Sequence, residues 1–141
     1  MIILDTNVIA EPMRNNGNLI VRAWLDEQAA ETLYLTATSL SELLVGIELL
    51  PTGKRKEGLS AALSKIVTRL FGSRILPFDQ HAAVVYARLV VQARADGRTI
   101  SVADGQIAAI AAAHGFSVAT RDTAPFVAVG VPVINPWERT K

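Results

Sequence analysis

The chain has 141 residues, half of them apolar, a net charge of +1 and no cysteine. At 15.1 kDa it is sized for one hydrophobic core and is read as a single domain over residues 1–141. The lack of cysteine excludes disulfides, thiolate metal sites and cysteine nucleophiles. No apolar run approaches the ~20 residues of a membrane span, and the start Met1-Ile2-Ile3-Leu4-Asp5 has none of the marks of a secretory signal, so a cytoplasmic protein is expected.

Ile2-Ile3-Leu4 is a continuous apolar run ending at Asp5, the pattern of a buried parallel strand that delivers a carboxylate at its C-terminal end. A helix is expected next, then an amphipathic helix from Leu19 to Gln28 and an alternating strand from Thr32 to Thr36. From Ser39 the apolar positions Leu40, Leu43, Leu44, Ile47 and Leu50 recur at helical spacing, stopped by Pro51 and a Gly53-Lys54-Arg55-Lys56 turn. Leu59 to Phe71 reads as a helix and Ile75 to Phe78 as a short strand. Asp79 should cap a long helix to about Ala95. Ser101 to His114 is a helix ended by Gly115, Phe116 to Ala119 a strand, residues 123–128 a short helix or turn, and Val131 to Ile134 a last strand. Strands alternating with helices imply a three-layer α/β/α sandwich around a mostly parallel sheet of roughly five strands. In such sheets ligands bind beyond the carboxyl ends of the strands, where the strand order reverses.

Four acidic residues fall at that rim: Asp5 after the first strand, Glu42 and Asp104 in the first turns of their helices, and Asp122 after the fourth strand. Capping explains any one of them, since Ser39-x-x-Glu42 and Ser101-x-x-Asp104 both match the capping box and an aspartate is a favoured N-cap. It explains less well why four such residues converge. Clustered carboxylates repel unless protons or cations neutralise them. With no cysteine and no histidine pair, the cation implied is a hard one, Mg²⁺ or Mn²⁺, which takes carboxylate, water and phosphate oxygens. Charge is also segregated along the chain: residues 1–50 carry 2 basic and 7 acidic side chains, residues 51–141 carry 12 basic and 6 acidic. That pattern fits either two solvated faces of opposite sign or an acidic pocket inside a basic rim.

At these residues the sequence resembles the PIN-domain family, in particular the VapC and FitB-like toxins. The matching segments are Ile3-Leu4-Asp5-Thr6-Asn7-Val8-Ile9, Ser41-Glu42-Leu43-Leu44-Val45-Gly46, Ala103-Asp104-Gly105-Gln106-Ile107-Ala108-Ala109 and Ala119-Thr120-Arg121-Asp122-Thr123. Ile75-Leu76-Pro77-Phe78-Asp79 and Asn135-Pro136-Trp137 extend the likeness to the FitB-like members. The resemblance implies a metal-dependent endoribonuclease, the toxin of a bacterial type II toxin–antitoxin pair. Asp5, Glu42, Asp104 and Asp122 match the family's acidic metal-binding and catalytic quartet, and Thr6, Asn7 and Thr120 the polar neighbours that orient those carboxylates. Arg121 either contacts substrate phosphate or pairs with a carboxylate. An RNA substrate, tRNA among the candidates, a cognate small antitoxin and a homodimer are implied as well.

Other features are read as structural. His81 and His114 open and close different helices, and a histidine at a helix C-terminus has a dipole rationale. Lys54-Arg55-Lys56 is taken as a solvated loop, and Trp24 and Trp137 as packing residues. The apolar stripe Val84, Val85, Tyr86, Leu89, Val90 and Val91 is wider than one buried face requires and offers a dimer interface. Two rivals differ in class: a non-catalytic α/β protein-binding module with a structural cation site, and a phosphotransfer domain with Asp5 as nucleophile. The second lacks its usual partners, because Asn7 and Arg121 stand where a second acid or a lysine would be expected.

Overall fold

The apolar run Ile2–Leu4 forms β1, the central strand of the computed structural model, which describes residues 1–138. Leu33–Thr36 is β2, Ile75–Leu76 β3, Ser117–Ala119 β4 and Val133–Ile134 β5. Every pairing is parallel, in the order β3-β2-β1-β4-β5. Side chains alternate faces along a strand. Leu4, Leu33 and Leu35 therefore enter one core cluster with Val8, Val21, Trp24, Leu43, Leu63 and Phe71, while Ile3 and Val118 enter another with Ile107, Ile110 and Phe126.

The first cluster is covered by α1 (Thr6–Met13), α2 (Leu19–Glu27), α3 (Ala37–Glu48), α4 (Lys54–Lys65) and a π-helical continuation, Ile66–Phe71. The second lies under α5 (Gln80–Ala95), α6 (Val102–His114) and α7 (Ala124–Ala128). The three layers are those expected, and no helix among the described residues is long and apolar enough to cross a membrane.

Several boundaries differ from the sequence expectations. Thr32 belongs to a 3₁₀ turn, Ala30–Thr32, in which its hydroxyl donates to the Ala29 carbonyl. α3 begins at Ala37 because Thr36 caps it, its hydroxyl accepting from the Ser39 amide at 3.0 Å. Ser39 is thus a buried helical residue, and Glu42 stands in the second turn, outside any capping box. Lys54-Arg55-Lys56 is the first turn of α4, so the helix expected from Leu59 starts five residues earlier. Phe116 and Val131 fall outside β4 and β5. Asp79 does cap α5, accepting from the Ala82 amide at 2.9 Å, and Gly115 ends α6 in the left-handed conformation, φ 71°.

Gly105, one residue past Asp104, lets α5 and α6 come together. A Cβ there would stand 2.8 Å from Cε1 of Tyr86, whose ring is pinned edge-on against Phe78, 5.7 Å between centroids. Gly105→Ala is expected to destabilise the fold by about 1–3 kcal/mol through overpacking. Chemical denaturation reads this directly, and an unchanged midpoint would mean that the Tyr86 ring swings aside freely.

Candidate active site

β1 and β4 are neighbours in the sheet but far apart in the chain, because the connections run outward through β2 and β3 before returning to β4. The strand order therefore reverses between them, and the crevice at their carboxyl ends is where such a sheet receives ligands. Asp5 emerges there from β1, its amide bonded to the Ala119 carbonyl at 2.9 Å. Thr120, Arg121 and Asp122 follow β4 at the same rim.

Asp5 is only 6% exposed. Its Oδ1 accepts from the Thr6 amide at 2.8 Å, and its Oδ2 accepts from the Thr120 hydroxyl at 2.9 Å. Thr120 is fixed in turn, its Oγ1 receiving the Asp122 amide at 3.1 Å and the Asn7 side-chain amide at 3.5 Å. The Arg121 amide donates to Asn7 Oδ1 at 3.3 Å, and Thr6 Oγ1 donates to Glu42 Oε1 at 3.1 Å. Thr6, Asn7 and Thr120 thus connect the end of β1, the end of β4 and the face of α3 and orient their carboxylates, as a buried charge requires. Asp104 sits in the first turn of α6, where its amide bonds the Ser101 hydroxyl at 3.1 Å. A further link, the Thr38 hydroxyl donating to Gln106 Oε1 at 2.9 Å, ties α3, which carries Glu42, to α6, which carries Asp104.

The electrostatics also gather the four acids. Burial pushes the Asp5 carboxyl above its ordinary value, the bonds from Thr120 and Thr6 pull it back, and the charges of Asp104 and Glu42 raise it further. Asp104 is raised by burial, lowered by Ser101 and raised again by Asp122. Among the described residues no three acidic or histidine side chains close tightly enough on one point to chelate an ion as they stand. The donor set is nonetheless all hard oxygen, and it fits an ion such as Mg²⁺, which keeps several waters and binds through one or two carboxylates.

Both shifts have the same consequence. With a folded-state pKa above 3.8, the folded protein binds more protons than the unfolded chain between 3.8 and the raised value. Its stability therefore falls as pH rises through that window and stays lower above it. In metal-free buffer at neutral pH, Asp104→Asn is expected to melt above the wild type, with the gap closing as pH falls. Equal melting temperatures at neutral pH would show that neither the burial of the Asp104 carboxylate nor its repulsion by Asp122 costs the fold stability.

The four acids and their three polar neighbours thus meet at one rim, though Asp122 caps nothing: α7 starts after Thr123, whose side chain makes no capping bond. Among the described residues no ion pair joins Arg121 to any of the four acids. Its guanidinium carbon lies 5.3 Å from the centre of the Trp137 ring instead, so Trp137 belongs to the site's edge as well as to packing. No local signal in the sequence marks this contact, because the two residues lie sixteen apart and meet only through the β4–β5 pairing. Also unforeseen was a groove of about 1130 Å³ between α1, α3 and α4, whose lining includes Thr6 and Glu42, the apolar Leu43, Ile47, Leu50 and Leu59, and the basic Arg14, Lys54 and Arg55. His81 lies in the first turn of α5 and His114 ends α6, so they open and close different helices.

The profile of the PIN domain matches residues 2–131. The chain is 49% identical to VapC ribonuclease Y4jK of Sinorhizobium fredii over 98% of this chain and 99% of that protein. It is 48% identical to Toxin FitB of Neisseria gonorrhoeae over 97% and 99%. The crystal structure of FitAcB from Neisseria gonorrhoeae superposes with a TM-score of 0.93 at 47% identity, covering 99% of this chain and 100% of that one.

Proposed function

Because the chain belongs to the PIN-domain family, alongside its VapC and FitB members, we propose that it is a metal-dependent endoribonuclease acting as the toxin of a bacterial toxin–antitoxin pair. The observation that carries the reading is the buried Asp5 carboxylate at the sheet's switch point, held by Thr6 and Thr120 and sharing its electrostatic field with Glu42 and Asp104. A capping role alone does not call for that convergence, and neither does a protein-binding module.

Asp5, Glu42, Asp104 and Asp122 would hold Mg²⁺ or Mn²⁺. Bound there, a hard divalent cation supplies acidification of an attacking water and neutralisation of phosphate charge. The protein's own part is positioning: the Thr120 hydroxyl and the Thr6 amide donate to Asp5, and the Thr6 hydroxyl donates to Glu42, which fixes both carboxylates at the rim where an RNA phosphodiester would meet the acids. With water as the nucleophile no 2′,3′-cyclic phosphate forms, and with the 3′-oxygen as the leaving group, taking up a proton as the P–O3′ bond breaks, the products carry a 5′-phosphate and a 3′-hydroxyl. RNA, tRNA included, is the proposed substrate, in the cytoplasm.

The relatives named as a toxin and a VapC ribonuclease support a cognate antitoxin as partner. A homodimer is proposed through α5, where Val84 and Val91, one helical stripe seven residues apart, remain 48% and 67% exposed. Sedimentation finding only a 15.1 kDa species at micromolar concentration would reject it. Sequencing RNA 5′ ends after induction tests the function: new 5′-phosphate ends at recurrent positions are expected, and an unchanged population of ends would sink the reading.

A further inference from the structure

Arg121 is the cation nearest the acids in the chain, following Thr120 and preceding Asp122. An exposed arginine so placed would ordinarily fold onto a carboxylate, because its planar fork matches that group with paired hydrogen bonds. It does not do so here. Its backbone is fixed by the bond from its amide to Asn7 Oδ1, and its guanidinium lies over Trp137 within the range of a cation–π contact.

Trp137 is itself held in place. The bond from the Thr120 amide to the Ile134 carbonyl, 2.9 Å, sets β5 and the turn after it beside the β4 end. In that turn the Trp137 amide donates to Asn135 Oδ1 at 3.0 Å, Pro136 is buried, and the indole packs half-buried against the core that holds Leu4. The ring is a fixed platform, and the arginine on it is exposed. A guanidinium lying on an aromatic face keeps N–H edges free for an anion.

We propose that Arg121 and Trp137 form one substrate clamp: Arg121 binds an RNA phosphate next to the acidic crevice, and Trp137 is the positioning residue that holds the guanidinium there and off the carboxylates. The inference rests on the ribonuclease reading. Four carboxylates repel a polyanion, and a cation kept free of them offsets that repulsion at the point where the strand must pass. An arginine that collapsed onto the acids would lose this contact and compete with the metal.

The test uses a fluorescently labelled short single-stranded RNA of randomised sequence, with binding read by anisotropy in the Asp104→Asn background and cleavage read in the otherwise native protein. Arg121→Gln should weaken binding and raise KM about tenfold, as loss of a charged hydrogen bond does, with kcat held within about twofold. Trp137→Leu should act in the same direction by about threefold or more, and Trp137→Phe, which keeps an aromatic face, by less. The double variant Arg121→Gln/Trp137→Leu should bind no worse than Arg121→Gln alone, because the tryptophan acts only through the arginine. Should Trp137→Leu fail to fold by circular dichroism, Trp137→Phe, singly and combined with Arg121→Gln, carries the comparison.

Unchanged binding and KM in Arg121→Gln overturns the clamp, as does a loss confined to kcat or a double variant whose defects multiply. Unchanged RNA affinity with weakened inhibition by a protein partner would assign the pair to that partner and equally overturn it. Native protein that binds RNA with this variant pattern but never cuts it overturns the ribonuclease reading and leaves the clamp standing. Cleavage by the native protein with binding indifferent to both residues does the reverse.

Discussion

Asp104→Asn and Asp5→Asn are each expected to lower the rate of RNA cleavage by at least about 100-fold while leaving the protein folded. The exchange removes a charge and keeps the shape. At Asp104 the helix start survives because its cap is the Ser101 hydroxyl on the backbone amide, which asparagine retains. At Asp5 the side-chain oxygen can still accept from the Thr6 amide, and removal of the buried charge offsets the bond lost from the Thr120 hydroxyl, whose oxygen already accepts from Asp122 and Asn7. What is lost is anionic oxygen at a site with few protein donors, and with it both cation affinity and the placement of positive charge on the phosphate. Melting curves separate this from unfolding, since both variants should melt at or above the wild type in metal-free buffer. Cleavage at near wild-type rates by both variants would show that the site lies elsewhere.

The second large effect is expected from the protein's partner. Co-expression with the short reading frame just upstream should give a complex that co-purifies and cuts RNA at a rate reduced by about 100-fold or more, the scale of blocking a site that charge placement governs. The groove between α1, α3 and α4 suits a helix with one apolar face, since Leu43, Ile47, Leu50 and Leu59 line it. Its lining includes Glu42, one of the four acids, and Thr6, which bonds it, so an arginine delivered on the partner's tail is expected to pair with the acids and exclude the metal. Arg14, Lys54 and Arg55 suit acidic residues on the same segment. Changing that tail arginine to alanine should return at least part of the activity. An upstream product that neither binds nor protects would end the toxin assignment and leave the nuclease assignment intact.

The sheet was legible because its signal is local: Ile2-Ile3-Leu4 is continuously apolar and opens on two β-branched residues, and Val118 and Ala119 lie in a run too short for a helix. The rim was legible for the same reason, since Asp5 and Asp122 follow those strands directly. Glu42 was reached on a wrong premise. The sequence offered Ser39 as a cap, but Thr36 takes that role because β2 ends there, a fact of tertiary pairing. Lys54-Arg55-Lys56 looked like a turn because charge and a preceding glycine mark loops, whereas these residues make the first turn of α4, a helix whose Leu63 is buried beneath it. The Arg121–Trp137 contact was out of reach, because it joins residues sixteen apart through the β4–β5 pairing. Legible residues were those whose neighbours in sequence are also their neighbours in space.

The central claim is that the acidic crevice is a metal-dependent ribonuclease site, and one assay addresses it most directly. Purified protein, freed of its partner, is incubated with RNA in Mg²⁺, in Mn²⁺ and with chelator, and the chemistry of the new ends is determined. The account predicts cleavage in either metal, its abolition by chelator and restoration on adding the metal back, with 5′-phosphate and 3′-hydroxyl ends. Cleavage that persists in chelator, or ends bearing a 2′,3′-cyclic phosphate, would contradict it, because the ribose hydroxyl would then be the nucleophile and the carboxylates would have another role.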